Sequence, residues 1–215
     1  MPDFSSKKFN PNISMDKGGV SIALVGASKS GKTTMLKHLY KKHFTKHIAV
    51  MCSMNPQAEI YKDLSNKVIV SEKYDPTILK DMHKINTKLK NKFDFLFISD
   101  DYVDRKIKND PEITRCLTIM RNAGVSSIFS FQGRTLMSAV GRMNVNYICI
   151  FKQQTPLEWQ NVIKEYLDMW LPLGMTMAEK INFCKLATED HQFFCIDNIA
   201  NECFLSKLTL AQISE

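Results

Sequence analysis

Eight consecutive residues, Gly26-Ala27-Ser28-Lys29-Ser30-Gly31-Lys32-Thr33, constrain this chain more than any other segment of it. They match G-x-x-x-x-G-K-[ST] in full. The run before them, Val20-Ser21-Ile22-Ala23-Leu24-Val25, is apolar and strand-like. The run after them, Thr34 to Tyr40, has helical spacing, with Met35, Leu36 and Leu39 on one face. Strand, glycine-rich loop and helix are the context this motif requires. The glycines let successive N–H groups point into one concavity, which holds an anion. The helix N-terminus adds its partial positive charge. Residues Gly26, Ala27, Ser28, Lys29, Ser30, Gly31, Lys32, Thr33 and Thr34 are therefore the candidate nucleotide-binding set. Lys32 is expected on the β- and γ-phosphates, and the Thr33 hydroxyl on Mg²⁺. ATP and Mg²⁺ are the expected cofactors.

A chain of 215 residues has room for one α/β domain and little more. Residues 1–19 read as an irregular lead-in ending in Gly18-Gly19, and residues 20–215 as one domain. No apolar run approaches the ~20 residues that span a bilayer, and the first residues lack the apolar core of a secretion signal. The six cysteines form no C-x-x-C pair and several lie in apolar runs. Buried, reduced thiols and an intracellular setting are expected.

The net charge of +7 is uneven. Residues 1–50 carry nine Lys or Arg against two Asp or Glu, and residues 51–150 fifteen against eleven. Residues 151–215 carry five against nine. The basic excess lies with the loop and the central region, as it would for a polyanionic partner or for a surface that offsets bound triphosphate.

Apolar runs at 48–52, 67–70, 93–99, 125–131, 147–151 and 192–196 read as buried strands, the last completing the chain. Helices are expected over 76–90, 111–121, 136–143, 156–169 and 177–187, between or after them. Continuously apolar strands alternating with helices predict an α/β fold: a mostly parallel sheet covered on both faces, in three layers.

The run Phe93–Ser99 ends in Asp100-Asp101. A triphosphatase needs a carboxylate for Mg²⁺ and a group that prepares the attacking water. Asp100 is assigned to the metal and Asp101 to the water, at the sheet edge where such folds bind ligands. The run Val125–Phe131 ends at Gln132, whose amide can both donate and accept beside a γ-phosphate.

The stretch from Met120 to Gln132 contains Arg121-Asn122-Ala123-Gly124-Val125 and resembles the R-x-A-G-I…T-Q segment of the FtsK–HerA translocases. Arg142-Met143-Asn144, followed by the apolar run to Phe151, is similar to the viral genome-packaging branch of that superfamily. So are the Asp-Asp ending and the late Phe193–Asn198 run. The resemblance spans roughly residues 18–200. It implies a RecA/FtsK-like P-loop NTPase that hydrolyses ATP to thread double-stranded DNA into a capsid. It implies a homo-oligomeric ring of five or six subunits, capsid-vertex partners and a place in the host cytoplasm. It implies Lys32, Asp101 and Gln132 as catalytic groups, Thr33 and Asp100 on the metal, and an arginine reaching a neighbour's nucleotide. Arg142 is favoured for that role, with Arg121 and then Arg134 as alternatives. Two departures stand out: the superfamily's Asp-Glu is Asp100-Asp101 here, and the Thr before its Gln is Phe131.

A HerA-like helicase is the nearest alternative, and a small-molecule kinase shares the loop. A binding module without catalysis would have lost Lys32 or the acids, and both are present. Asn91-Lys92-Phe93-Asp94 formally matches the GTPase N-K-x-D, but it precedes its strand instead of following one.

Overall fold

A computed structural model describes residues 4–13, 18–53, 61, 64, 68–100, 110–132 and 138–209. Its eight strands form one sheet: β1 (Ser21–Val25), β2 (Ile48–Ser53), β3 (Val68–Ser71), β4 (Phe95–Asp100), β5 (Val125–Phe131), β6 (Tyr147–Ile150), β7 (Gln192–Asp197) and β8 (Glu202–Lys207). The spatial order is β3-β2-β4-β5-β1-β6-β7-β8. The first six in that order are parallel, β7 pairs antiparallel with β6, and β8 antiparallel with β7.

The helices are α1 (Lys32–Leu39), α2 (Pro76–Lys88), α3 (Pro111–Thr118), α4 (Ala139–Asn144), α5 (Pro156–Val162) and α6 (Met177–Ala187). Their starts follow from local chemistry. Asp75 and Asp110 accept hydrogen bonds from the first-turn N–H groups of α2 and α3, each with Pro at the first helical position. Thr155 and Thr176 close capping boxes with Glu158 and Glu179. The long helix expected over 156–169 loosens after Val162 into a wider turn at Ile163–Leu167 and a tighter one at Asp168–Trp170.

The sheet separates two apolar layers. Side chains alternate across a strand, so Ile22 and Leu24 face one layer, Ala23 and Val25 the other. The first layer holds Met35, Leu36 and Leu39 of α1, with Phe44 and Phe9. The second holds Leu79 and Met82 of α2, Ile113 and Leu117 of α3, Trp159 of α5 and Cys184 of α6. β1 is buried along its whole length, as a strand covered on both faces must be.

The three-layer, mostly parallel α/β architecture expected from the sequence is the one observed. The sheet's end differs. Gln192–Ile196 does not complete the chain, because β8 folds back on β7 through Asn198–Asn201, with Asp197 Oδ1 accepting from the N–H groups of Ile199 and Ala200. The lead-in residues covering β8 are packed, not loose. Lys7 N–H donates to Leu205 O at 2.9 Å, Leu205 N–H to Ser5 O at 3.0 Å, and Phe9 is buried. This covers an edge that would otherwise present unpaired backbone groups.

Candidate nucleotide-binding site

The loop leaves β1 at Val25 and enters α1 at Lys32. Its first N–H, of Gly26, donates to Phe131 O at 3.1 Å, and that of Ala27 to Lys152 O at 2.9 Å. The loop is thus pinned to β5 on one side and to the end of β6 on the other. Lys29 and Gly31 have φ of 61° and 104°, the left-handed conformations that turn the chain back on itself. A Cβ on Gly26 would lie 2.7 Å from both Phe151 Cβ and Ser30 Oγ. Only glycine fits there.

Gly31 occupies the N-cap of α1 and offers no side chain, so no side-chain cap satisfies the helix N-terminus. No acidic residue lies in the first turn. Thr33 and Thr34 sit in that turn, where N–H groups have no intrahelical acceptor. Ser30 Oγ is buried with no hydrogen-bond partner among the described residues. The Lys32 side chain is buried and folds over the loop, donating to Ala27 O at 2.8 Å. An uncapped helix start, an orphaned hydroxyl and an ammonium held against its own loop are donors of the kind a polyphosphate could satisfy.

Strand register places the acid. Asp100 lies opposite Ser130 of β5, which lies opposite Leu24 of β1. Asp100 is therefore level with the last residues before the loop, two strands or about 10 Å across. It is buried, and the Tyr61 hydroxyl donates to its Oδ2 at 2.6 Å. Tyr61 in turn lies 3.2 Å from Ser53 Oγ, at the end of β2. The Thr33 hydroxyl and the Asp100 carboxylate are hard oxygen donors, the set that suits Mg²⁺.

Gln132 directly follows Phe131, whose register partner is Val25, so it stands beside the start of the loop. β5, which carries it, lies between the loop strand and the acidic strand. Asp101 and Arg134 lie outside the described residues.

The arginines are elsewhere. Arg121 precedes β5, and its carbonyl accepts from Gly19 N–H at 2.8 Å, at the start of β1. Seven residues of extended chain lead from Gly19 to Gly26, so Arg121 is about 23 Å from the loop. Its guanidinium donates to Asn146 Oδ1 at 2.8 Å, and that oxygen also accepts from Ser21 N–H. Burial lowers the Arg121 pKa, with the Cys116 thiol opposing. Arg142, on α4, lines a groove with Met143, Glu165, Tyr166, Met169 and Trp170. Neither arginine is brought to the loop of its own chain.

Sequence reasoning missed Tyr61 and Ser53. Ser53 ends a predicted strand one residue beyond its expected limit, and nothing in the spacing ties it to Asp100. The N-K-x-D match falls in the turn before β4, with Asn91 at φ 57°, at the sheet edge away from the loop.

Residues 6–168 match the poxvirus A32 protein family. This chain belongs to the poxvirus A32 protein family. Among curated proteins, the A32-family chain is 24% identical over 152 residues to uncharacterized protein 015R of Frog virus 3 (isolate Goorha). That match covers 67% of this chain and 47% of the relative, so the chain spans about half the relative's length. B204, the genome-packaging NTPase of Sulfolobus turreted icosahedral virus 2, solved with sulfate, matches with a TM-score of 0.63 at 21% identity, over 90% of this chain and 98% of that one. B204 has also been solved with AMP, AMPPCP and ATP-gammaS. The conjugation coupling protein TcpA of pCW3, with ATPgS, matches with a TM-score of 0.63 at 13% identity, over 88% of this chain and 60% of that one. These likenesses show that the fold is shared. The expected likeness to a poxvirus-type family is borne out by the A32 match, and the expected fold by the solved structures.

Proposed function

We propose that this chain is an ATP-hydrolysing motor that moves double-stranded viral DNA into a capsid, acting as a ring of identical subunits. One observation carries the reading: β5, tipped by Gln132, lies between the loop strand β1 and the acidic strand β4. That order sets the Gly26–Thr33 loop, the Gln132 amide and the Asp100 carboxylate toward the same edge of the sheet, which supports hydrolysis of a γ-phosphate there. Family membership supports the same reading, as does the packaging NTPase named among the structural relatives. The basic excess over residues 1–150 suits a DNA partner.

In this reading the loop N–H groups bind the phosphates. Lys32 leaves the Ala27 carbonyl for a phosphate oxygen, a stronger, charged partner. Thr33 and Asp100 would hold Mg²⁺, which when bound would supply positive charge beside the phosphate oxygens. Asp101 orients and deprotonates the attacking water, and Gln132 contacts the γ-phosphate. Arg142 reaches the neighbouring subunit's nucleotide. What supports this choice is its groove beside Met143, which is 81% exposed. Arg121, tied to Asn146, is the second candidate. Capsid-vertex proteins are the proposed docking partners and the host cytoplasm the proposed site of action. Residues 20–215 are proposed as the ATPase domain, with 1–19 as its lead-in. Among the described residues no helix is long and apolar enough to cross a membrane.

The test is turnover of ATP by the purified chain with and without duplex DNA. DNA-stimulated phosphate release is expected. Phosphate transfer to a small acceptor, with no response to DNA, would replace the motor with a kinase.

A further inference from the structure

The Tyr61 hydroxyl has one proton and gives it to Asp100 Oδ2 at 2.6 Å. A carboxylate only accepts, so in the contact of Tyr61 with Ser53 Oγ, at 3.2 Å, Ser53 is the donor. The direction of the chain is therefore fixed: Ser53 to Tyr61 to Asp100. Ser53 is also the register partner of Asp100 across β2 and β4. The Tyr61 ring packs against the apolar layer that contains Met35, Leu36 and Leu39 of α1. Its hydroxyl thus reaches Asp100 from a ring seated in the same layer as the loop helix.

We propose that Tyr61, oriented by Ser53, is the positioning residue for the metal-holding carboxylate of Asp100. This rests on the assignment of Asp100 to Mg²⁺. A short O–H···O⁻ bond in a buried setting fixes the plane of the carboxylate, and with it the direction in which Asp100 presents its oxygens. Partners one bond removed from a metal ligand typically change metal affinity by about 10- to 100-fold.

The experiment uses the full chain, AMPPNP as nucleotide and Mn²⁺ as the paramagnetic probe. Tyr61→Phe keeps the ring and removes the hydroxyl. It is expected to lower Mn²⁺ affinity of the AMPPNP complex by about 10- to 100-fold. Melting temperature and metal-free AMPPNP affinity, measured in EDTA, are expected to stay at wild-type values. Ser53→Ala is expected to give a smaller loss in the same direction. The double variant is expected to match Tyr61→Phe alone, because Ser53 acts through Tyr61. Asp100→Asn is the control. If it loses Mn²⁺ and Tyr61→Phe does not, the positioning role is overturned while the metal assignment stands. If Asp100→Asn keeps Mn²⁺, both fall. If Tyr61→Phe loses stability and metal-free nucleotide binding together, its role is structural and the proposal is overturned.

Discussion

The N–H of Gly26 donates to the carbonyl of Phe131 at 3.1 Å, locking the first residue of the phosphate loop to the strand that presents Gln132. A methyl group at Gly26 would meet Phe151 Cβ and Ser30 Oγ at 2.7 Å. Gly26→Ala should cost about 1–3 kcal/mol in strain at the loop and weaken nucleotide binding roughly tenfold or more. A fluorescent ATP analogue titrated against both proteins checks this. Wild-type affinity in the variant would mean that the loop adapts.

Asn86 ties the far end of the sheet together. Fully buried on α2, it donates to the carbonyls of Phe93 and Ala123 and accepts from Phe93 N–H at 3.1 Å. Replacing it with Leu strips one buried and two part-buried backbone groups of their side-chain partner, at a cost of about 1–3 kcal/mol. Urea unfolding of Asn86→Leu should show that loss. Nucleotide affinity of the folded variant should be unchanged, since this cluster lies at the opposite sheet edge from the loop.

The strand–loop–helix unit, the two acids and the Gln-tipped strand were legible in the sequence because each is a short local pattern with a chemical requirement. Their convergence was not. Only the register Asp100–Ser130–Leu24 shows that the acid lies level with the loop two strands away. β8 escaped notice because it is a half-buried edge strand without clean alternation, made stable by β7 and by the chain near Lys7. The Asn-bounded turn at 198–201 was the available signal for that hairpin. Tyr61 was invisible because it approaches Asp100 from 39 positions away.

Below neutrality the chain should lose stability through His43. Burial, with Lys42 and His38 adding repulsion, lowers its pKa to about 4. His47 is lowered by burial too, with Asp94 opposing. The unfolded chain therefore binds more protons than the folded one between about pH 4 and the ordinary histidine value near 6.5. Stability is complete above that range and falls as the pH drops through it. Melting temperatures from pH 7 to pH 4.5 should decline, with a shallower decline in His43→Gln. Identical slopes would remove His43 as the source.

Arg142 should matter only between subunits. Arg142→Ala is expected to bind ATP normally and to hydrolyse it poorly, with a loss of about 4 kcal/mol or more in transition-state stabilisation if the side chain acts as a trans cation. Mixing Arg142→Ala with Lys32→Ala subunits should restore part of the turnover, because some interfaces then pair an intact cradle with an intact arginine. If mixing rescues Arg121→Ala and leaves Arg142→Ala silent, Arg121 is the trans group.

The central claim is that hydrolysis in this cradle moves duplex DNA. It is tested most directly by ATP-driven displacement of a third strand from a DNA triplex. The intact chain should release the third strand with ATP and not with AMPPNP, and Lys32→Ala should release none. Robust, DNA-stimulated ATP turnover without any strand release would contradict the motor.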